Sequence, residues 1–134
     1  MSSQKPYVGN IPAETVDNSN FRQVIYTGPK SQLVLMSLKP GEDIGAEVHQ
    51  VDQFFRFEAG TGRAIVDGQD YEVVDGSALL VPAGASHNVE NTGSVDLKFY
   101  TLYAPPNHID GRIHLTKSEA EADTEDEEFG HRSS

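Results

Sequence analysis

The 134-residue chain contains no cysteine, which excludes a disulfide framework, a thiolate zinc site and a cysteine nucleophile together. Basic residues are also scarce, because ten Lys and Arg stand against 21 Asp and Glu and give a net charge of −11. Such a chain is repelled by phosphate backbones, so nucleic acid is not expected as a partner. No apolar run approaches the roughly 20 residues that a membrane-spanning helix needs. The first ten residues, MSSQKPYVGN, contain no hydrophobic signal segment, and we therefore expect a cytoplasmic protein without a membrane partner.

Composition predicts a single domain with two polar extensions. A hydrophobic fraction of 37% is lean for a helical bundle, and 12 Gly with 7 Pro are ordinary for a turn-rich β protein. Residues 1–20 mix Pro, Asn, Ser and Thr and predict an irregular N-terminal arm. Residues 118–134 hold seven of the 21 acidic residues and predict a solvated, flexible tail, with an acidic interaction tail as the alternative. The folded domain is expected over residues 21–117.

The central segment is a succession of short β-type runs between turn signals, with helical composition only near 117–124. A spacing near ten residues is typical of a β-sandwich or barrel. Asp67-Gly68 predicts a tight hairpin, because glycine tolerates positive φ. The predicted strands are 22–27, 32–38, 53–59, 63–66, 71–74, 78–81 and 96–104, with a further strand that begins at residue 87.

The run at 32–38, QLVLMSL, is apolar on both faces, whereas a strand with one solvated face should alternate. One face is expected to fill the core, and the other to be covered by an arm or by a partner subunit. A thicker core within one chain is the alternative. We take the pattern to predict a homodimer.

Three polar residues are expected to share one strand face. Glu47 and His49 are two residues apart and project to the same side of a strand, because strand side chains alternate. Gln53 follows after a predicted turn, in phase with Phe55 and Phe57. A carboxylate, an imidazole and an amide oxygen above aromatic rings suit a buried metal site, although this triple alone is weak evidence.

A second segment contains another candidate ligand, His87. In GSALLVPAGASHNVEN, a short apolar strand ends at Pro82, and Gly84 permits a tight turn before His87. Proline and glycine fix the chain direction here, so His87 reaches a defined place. Taken alone, such a histidine is more often structural than a metal ligand.

Together the two segments resemble the paired motifs of the cupin superfamily. The first cupin motif is Gly, five residues, His-x-His, three or four residues, Glu, six residues and Gly. At those spacings this chain has Gly41, Glu47, His49, Gln53 and Gly60.

The second cupin motif is Gly, five residues, Pro-x-Gly, two residues, His, three residues and Asn. This chain matches it with Gly76, Pro82, Gly84, His87 and Asn91. The resemblance implies an all-β, cupin-type jelly-roll barrel, or double-stranded β-helix. It also implies that these glycines, the proline and the asparagine are architectural.

The resemblance further implies one divalent metal ion, held by the residues at the family's ligand positions: Glu47, His49, Gln53 and His87. This set departs from the family pattern, because the first histidine is a glutamate and the glutamate is a glutamine. One carboxylate, one amide oxygen and two imidazoles suit zinc, manganese, iron or nickel without selecting among them. The departure weakens a dioxygenase assignment, and the set is similar in kind to that of cupin-type sugar-phosphate isomerases. Loss of metal binding through these substitutions remains the alternative.

The sequence therefore predicts a metal-binding cupin that acts on a small oxygen-bearing substrate, such as a sugar derivative or keto acid, as an isomerase, lyase or oxygenase. A non-catalytic cupin that binds a small ligand is the alternative, because no acid or base beyond the metal ligands is identifiable and the catalytic residues remain unknown. An interaction protein that uses the acidic tail is a third, weaker hypothesis.

Other polar residues are not assigned to the site. Arg56 is expected to point away from the core and Arg63 to lie on the surface or hold an anionic substrate. Tyr100 and Tyr103 lie on opposite faces of one strand, so one of them should face inward. His108 and His114 follow Pro105-Pro106 in a loop-like stretch and are expected to be exposed, with a loop that folds over the barrel mouth as the alternative. His131 lies in the tail.

Overall fold

The computed structural model describes residues 4–133, and that part of the chain contains three helices and ten strands. In chain order they are α1 Ile11–Asp17, β1 Arg22–Thr27, β2 Gln32–Leu38, β3 Glu47–Val48, β4 Asp52–Ala59, β5 Thr61–Val66, β6 Gln69–Val74, β7 Ala78–Val81, β8 Ser86–Asn91, β9 Leu97–Ala104, β10 Ile113–His114, α2 Lys117–Ala122 and α3 Thr124–Ser133. The predicted strands are confirmed, three of them at their exact ends and the others within two residues. None of the helices described is long and apolar enough to cross a bilayer.

Two antiparallel sheets face each other across the core. One sheet has the order β10-β1-β2-β9-β4-β7, and the other has the order β3-β8-β5-β6. Aromatic rings from β4 and β9 fill the space between them, with Phe57 and Phe99 at a ring separation of 5.2 Å. This arrangement is the predicted jelly-roll barrel, and the site residues lie where β3 and β8 of one sheet approach β4 of the other.

Strand β2 is buried along its whole length, as its two-faced apolar pattern predicts. Val34, Met36 and Leu38 join the central core. Leu33 and Leu35 point to the other face and are also buried, although they lie outside that cluster. Leu35 borders a shallow depression formed with the segment around α1, so the N-terminal arm of the same chain provides cover on the outer face. The homodimer stays a prediction.

The predicted irregular arm contains a short helix, α1. Asn10 caps it by accepting a 3.1 Å hydrogen bond from the backbone N–H of Ala13, and Pro12 lies in the first turn, where its missing N–H costs nothing. Thr15 is fully buried and returns its hydroxyl to the carbonyl of Ile11. The cap and the early proline are start signals that the polar composition of residues 1–20 obscured.

The motif glycines act through the backbone, as the resemblance implies. Gly60 has a φ of +92°, and a Cβ there would lie 2.7 Å from the carbonyl oxygen of Asp96. Only glycine fits a left-handed conformation with so close a neighbour. Asn91 crosslinks the barrel wall, since its amide nitrogen donates to the carbonyls of Leu38 at 2.9 Å and Val95 at 2.8 Å.

The acidic tail differs from the prediction of a solvated, flexible extension. It forms α2 and α3, and Asp126 in α3 is buried. Thr116 caps α2 by accepting from the backbone N–H of Glu119 at 3.2 Å. The tail packs against the rest of the chain through polar side chains and not through an apolar stripe. A hydropathy pattern therefore does not predict this contact. The domain boundaries at residues 20 and 117 stay predictions.

Candidate metal and ligand site

Three strands carry the four residues that the sequence predicts as metal ligands. In the pairing of β3 with β8, Glu47 lies directly opposite His87. Gln53 begins the inward face of β4, opposite Tyr103 of β9. His49 follows β3 directly, and its ring centroid lies 5.4 Å from that of His87. The structure therefore brings all four residues to one end of the barrel interior.

Glu47 and His49 form an ion pair through Oε2 and Nε2. Burial alone would raise the pKa of Glu47, but the hydrogen bond and charge of His49, with a contribution from Arg22, hold the pKa of this carboxyl below its usual range. Glu47 is therefore an anion at neutral pH. The pair supplies one carboxylate and one imidazole at the same point.

His87 is a buried neutral imidazole. Burial lowers the pKa of His87, and the nearby His49 acts in the same direction. Its Nδ1 lies 3.4 Å from the carbonyl oxygen of Ala85, and a carbonyl can only accept, so Nδ1 carries the proton. Nε2 is then left with a lone pair, and it is buried without a hydrogen-bond partner. The ring is held edge-on to Phe55 at 6.0 Å.

Gln53 also has a buried acceptor atom without a hydrogen-bond partner, in this case an amide oxygen. The side chain is only 2% exposed, and Nε2 donates to the hydroxyl of the buried Thr101 at 3.0 Å. Oε1 is buried and has no partner. Gln53 and His87 therefore each present an unused lone pair to the interior, where an unsatisfied polar atom costs roughly 1–3 kcal/mol.

A second set of side chains, one histidine and two aspartates, lies close enough together to share one ion. In the described part of the chain, one group of His, Asp and Glu side chains has three ligand atoms that all lie within 4.8 Å of one another, namely His114, Asp123 and Asp126. Glu47, His49 and His87 do not form such a group in this conformation: Glu47 and His49 are in contact, but the His87 ring nitrogens lie more than 4.8 Å from at least one of the two contacting atoms. A His-Asp-Asp group of this size could hold a metal ion.

The ligand atoms of that second cluster are already used in hydrogen bonds. Asp123 Oδ2 accepts from His114 Nε2 at 2.8 Å and forms an ion pair with Arg112 at 3.2 Å. Asp126 Oδ2 lies 2.7 Å from Nδ1 of His108, and its Oδ1 accepts from the backbone N–H of Ile109 at 2.7 Å. We interpret the cluster as a set of hydrogen bonds and ion pairs that hold the acidic tail against the barrel.

His108 and His114 are buried, so the expectation that they are exposed is wrong. Burial lowers the pKa of His108 to about 4, with the charge of Arg22 adding to the effect. The neutral ring donates from Nδ1 to Asp126 and accepts at Nε2 from the hydroxyl of Tyr103, 3.1 Å away. Sequence spacing held no signal for the contact of His108 with Asp126, because the two residues are 18 apart and both lie outside the predicted strands.

A cavity of about 440 Å³ lies above the Glu47–His49 pair. Its floor is the segment from Ile44 to His49, and α2 and α3 form much of its wall. Asn107 lies at the boundary with the ligand residues: its Nδ2 is 3.4 Å from His49 Nδ1, and its Oδ1 is buried without a partner. The tail therefore encloses the approach to the predicted ligands.

Gln32 holds the loop that carries Asn107 and His108. Its Oε1 accepts from the backbone N–H groups of Asn107 at 3.1 Å and His108 at 3.0 Å, and its Nε2 donates to the carbonyl of His108 at 2.7 Å. Gln32 is fully buried, so these three bonds are not shared with solvent. The sequence signal for this role was the position of Gln32 at the start of β2, a strand that is otherwise mostly apolar.

Tyr103 is the tyrosine of β9 that faces inward; it is buried, and its ring lies 6.0 Å from that of His49. Burial raises the pKa of Tyr103, so its hydroxyl keeps its proton. Arg56 is partly exposed beside Glu58, and Arg63 pairs with Glu90 on the surface at 3.1 Å. Neither arginine reaches the cavity. Arg22, which the sequence analysis did not single out, does line it.

The cupin domain family matches residues 34–103, just over half of the chain. The chain therefore belongs to the cupin family, in agreement with its fold and with the two motifs.

Among similar proteins, YrkC of Bacillus subtilis is 49% identical over 125 residues, which cover 88% of this chain and 67% of that protein. The crystal structure of a Bacillus halodurans protein has a TM-score of 0.87 at 45% identity and covers 90% of this chain and 96% of that one. The oxalate-binding protein of Thermotoga maritima is 32% identical over 68 residues, which cover 50% of this chain and 56% of that protein.

Proposed function

We propose that the chain is a metal-dependent cupin that binds one divalent ion through Glu47, His49, Gln53 and His87 and acts on a small oxygen-bearing organic substrate. The similarity to an oxalate-binding protein supports a small organic acid, such as a keto acid, over a sugar derivative. Isomerase, lyase and oxygenase chemistry all remain within this proposal.

The observation that carries the proposal is the pair of unused lone pairs on buried atoms, Nε2 of His87 and Oε1 of Gln53. Both atoms are acceptors, and neither has a donor. A water molecule or a cation satisfies two such acceptors, and the adjacent carboxylate of Glu47 favours the cation. Two imidazole nitrogens, one carboxylate and one amide oxygen fit zinc, manganese, iron or nickel.

In both His87 and His49, the surroundings of Nδ1 are compatible with metal binding through Nε2. Nδ1–H of His87 already faces the carbonyl of Ala85, which leaves Nε2 as the coordinating atom. For His49, exchanging the oxygen and nitrogen of the Asn107 amide would place the unpartnered Oδ1 at Nδ1, and Nε2 would then be the atom that holds the ion. Each imidazole thus has a hydrogen-bond acceptor that fixes the required tautomer.

When bound, a divalent ion acts as a Lewis acid that polarises a substrate oxygen. The residues of the chain supply the rest: the apolar wall around Phe55 limits water below the ligands, and the cavity above His49 admits a small molecule. Tyr103 retains its proton and donates it in a hydrogen bond to Nε2 of His108, so it does not act as a base.

The test compares two histidine variants in metal binding and turnover. We expect His87→Gln to lose most bound metal in elemental analysis and to lose activity, because a neutral amide replaces the buried imidazole. His114→Gln, in the second cluster, should keep both. Circular dichroism checks that each variant folds. If His114→Gln loses the metal and His87→Gln retains it, the ion belongs to the tail cluster and the proposal is wrong.

A second candidate function is a cupin that binds a small ligand without turnover. The printed name of the Thermotoga maritima relative, which describes binding and not catalysis, favours it. It predicts that oxalate raises the melting temperature of the metal-loaded protein while its concentration stays constant over hours of incubation. Consumption of oxalate, followed by chromatography, would exclude this candidate.

A further inference from the structure

We propose that Arg22 forms a carboxylate-binding subsite in the cavity above Glu47 and His49, so that the ligand of this cupin is a small organic acid held by its carboxylate. This inference deepens the proposed function and rests on it for the identity of the site. The binding step itself involves residues that are separate from the four predicted metal ligands.

Arg22 occupies a position where an apolar residue is expected. It is two residues before Val24 on β1, and Val24 belongs to the central core, so both side chains share the inward face. Arg22 is only 7% exposed, yet it lines the cavity. Arginine is rarely buried to this extent without a partner, because removing the charge from water is costly.

The guanidinium group lies over the ring of Phe21, 5.3 Å from its centroid, but it lacks a full set of hydrogen-bond partners. One terminal nitrogen lies 3.5 Å from Nδ1 of His114, and Nε is buried without a hydrogen-bond partner. No ion pair joins Arg22 to a carboxylate within the described residues. Glu47 and Asp126 interact with Arg22 through their charges, but their direct contacts are to His49 and His108.

The other permanent cation of the cavity does not compete for an anion in the same way. Lys117 is paired with Asp43. Arg22 is therefore the cation of the cavity lining that has no direct carboxylate contact among the described residues, and a ligand carboxylate can take that position. A guanidinium offers parallel N–H groups that match the two oxygens of a carboxylate.

The charges around the cavity favour a carboxylate over a phosphate. Glu121 and Glu127 are exposed on the helices that form its wall, and they repel anions at the entrance. This repulsion is stronger for a phosphate dianion than for a singly charged carboxylate. A volume of about 440 Å³ admits a molecule of a few carbons and excludes a polymer.

The experiment measures the binding of pyruvate by calorimetry to metal-free and to manganese-loaded full-length protein. Methyl pyruvate, which has the same carbonyl but no negative charge, is the ligand control. Arg22→Gln removes the positive charge. Arg22→Lys keeps the charge but lacks the parallel N–H groups of the guanidinium. Arg63→Gln is the matched surface control. Manganese titrations and circular dichroism accompany each variant.

We expect pyruvate to bind and methyl pyruvate to bind at least about tenfold more weakly, because the neutral ester cannot form a charge-assisted hydrogen bond with the guanidinium group. Arg22→Gln should weaken pyruvate binding by a similar factor and leave manganese affinity unchanged, and Arg63→Gln should change neither. Arg22→Lys should fall between wild type and Arg22→Gln, and it keeps the test valid if Arg22→Gln does not fold.

Three results would overturn the subsite: no pyruvate binding, equal binding of the methyl ester, or unchanged pyruvate affinity in a folded Arg22 variant. Tighter Arg22-dependent binding of inorganic phosphate would overturn the carboxylate assignment. Failure of the proposed metal site gives a different pattern, in which manganese does not bind while pyruvate still binds the metal-free protein through Arg22.

Discussion

Acidification should destabilise this fold through His108. Burial lowers the pKa of His108 to about 4 from its ordinary value of 6.5. In the unfolded chain the imidazole takes up a proton below 6.5, whereas in the folded chain it stays neutral until about 4. The stability that depends on the neutral ring is therefore complete above 6.5 and is lost as the pH falls towards 4. Between about pH 7.5 and about pH 5 the loss is roughly 2 kcal/mol, and it approaches roughly 3 kcal/mol below pH 4.

The assay is urea unfolding of metal-free protein at these two pH values, for wild type and for His108→Gln. Glutamine can still donate to Asp126 and accept from Tyr103, but it does not titrate. His87 has a lowered pKa as well and contributes equally to both proteins, so the difference between them reports on His108 together with its partner Asp126. The wild type should lose about 2 kcal/mol more than the variant. Equal losses in both proteins would refute a buried neutral His108.

Further predictions concern stability and assembly. Gln32→Leu should cost roughly 2–4 kcal/mol in urea unfolding, because it leaves two N–H groups and one carbonyl of the cavity loop unpaired; a smaller effect would mean that solvent reaches this loop. Gly60→Ala should destabilise by about 2 kcal/mol or more, whereas Gly68→Ala, which meets no atom within 4 Å, should cost about 1 kcal/mol; similar losses would contradict the close contact with Asp96. Sedimentation equilibrium should give twice the chain mass of 14.6 kDa, and a monomer would contradict the predicted homodimer.

The barrel could be predicted because its determinants are local. Strand ends coincide with glycine and proline signals, as at the Asp67-Gly68 hairpin, where Asp67 and Gly68 both adopt positive φ. Alternation placed Gln53 in phase with Phe55, and both are buried in the structure. These features depend on neighbours within a few residues, which the sequence displays directly.

The cavity could not be predicted in this way, because it is built from distant polar contacts. The tail contains almost no apolar residues, and its docking depends on single pairs such as His108 with Asp126. Arg22 interrupts the apolar face of β1, a pattern that equally predicts a strand end or an exposed position. Its role depends on which loop and helix lie above it, and that information is not contained in periodicity.

The most direct test of the account is anomalous scattering from crystals grown with manganese or zinc. The account predicts one ion per chain, at about 2.0–2.2 Å from donor atoms of Glu47, His49, Gln53 and His87. An ion between His114, Asp123 and Asp126, or no ordered ion at saturating metal, would contradict it.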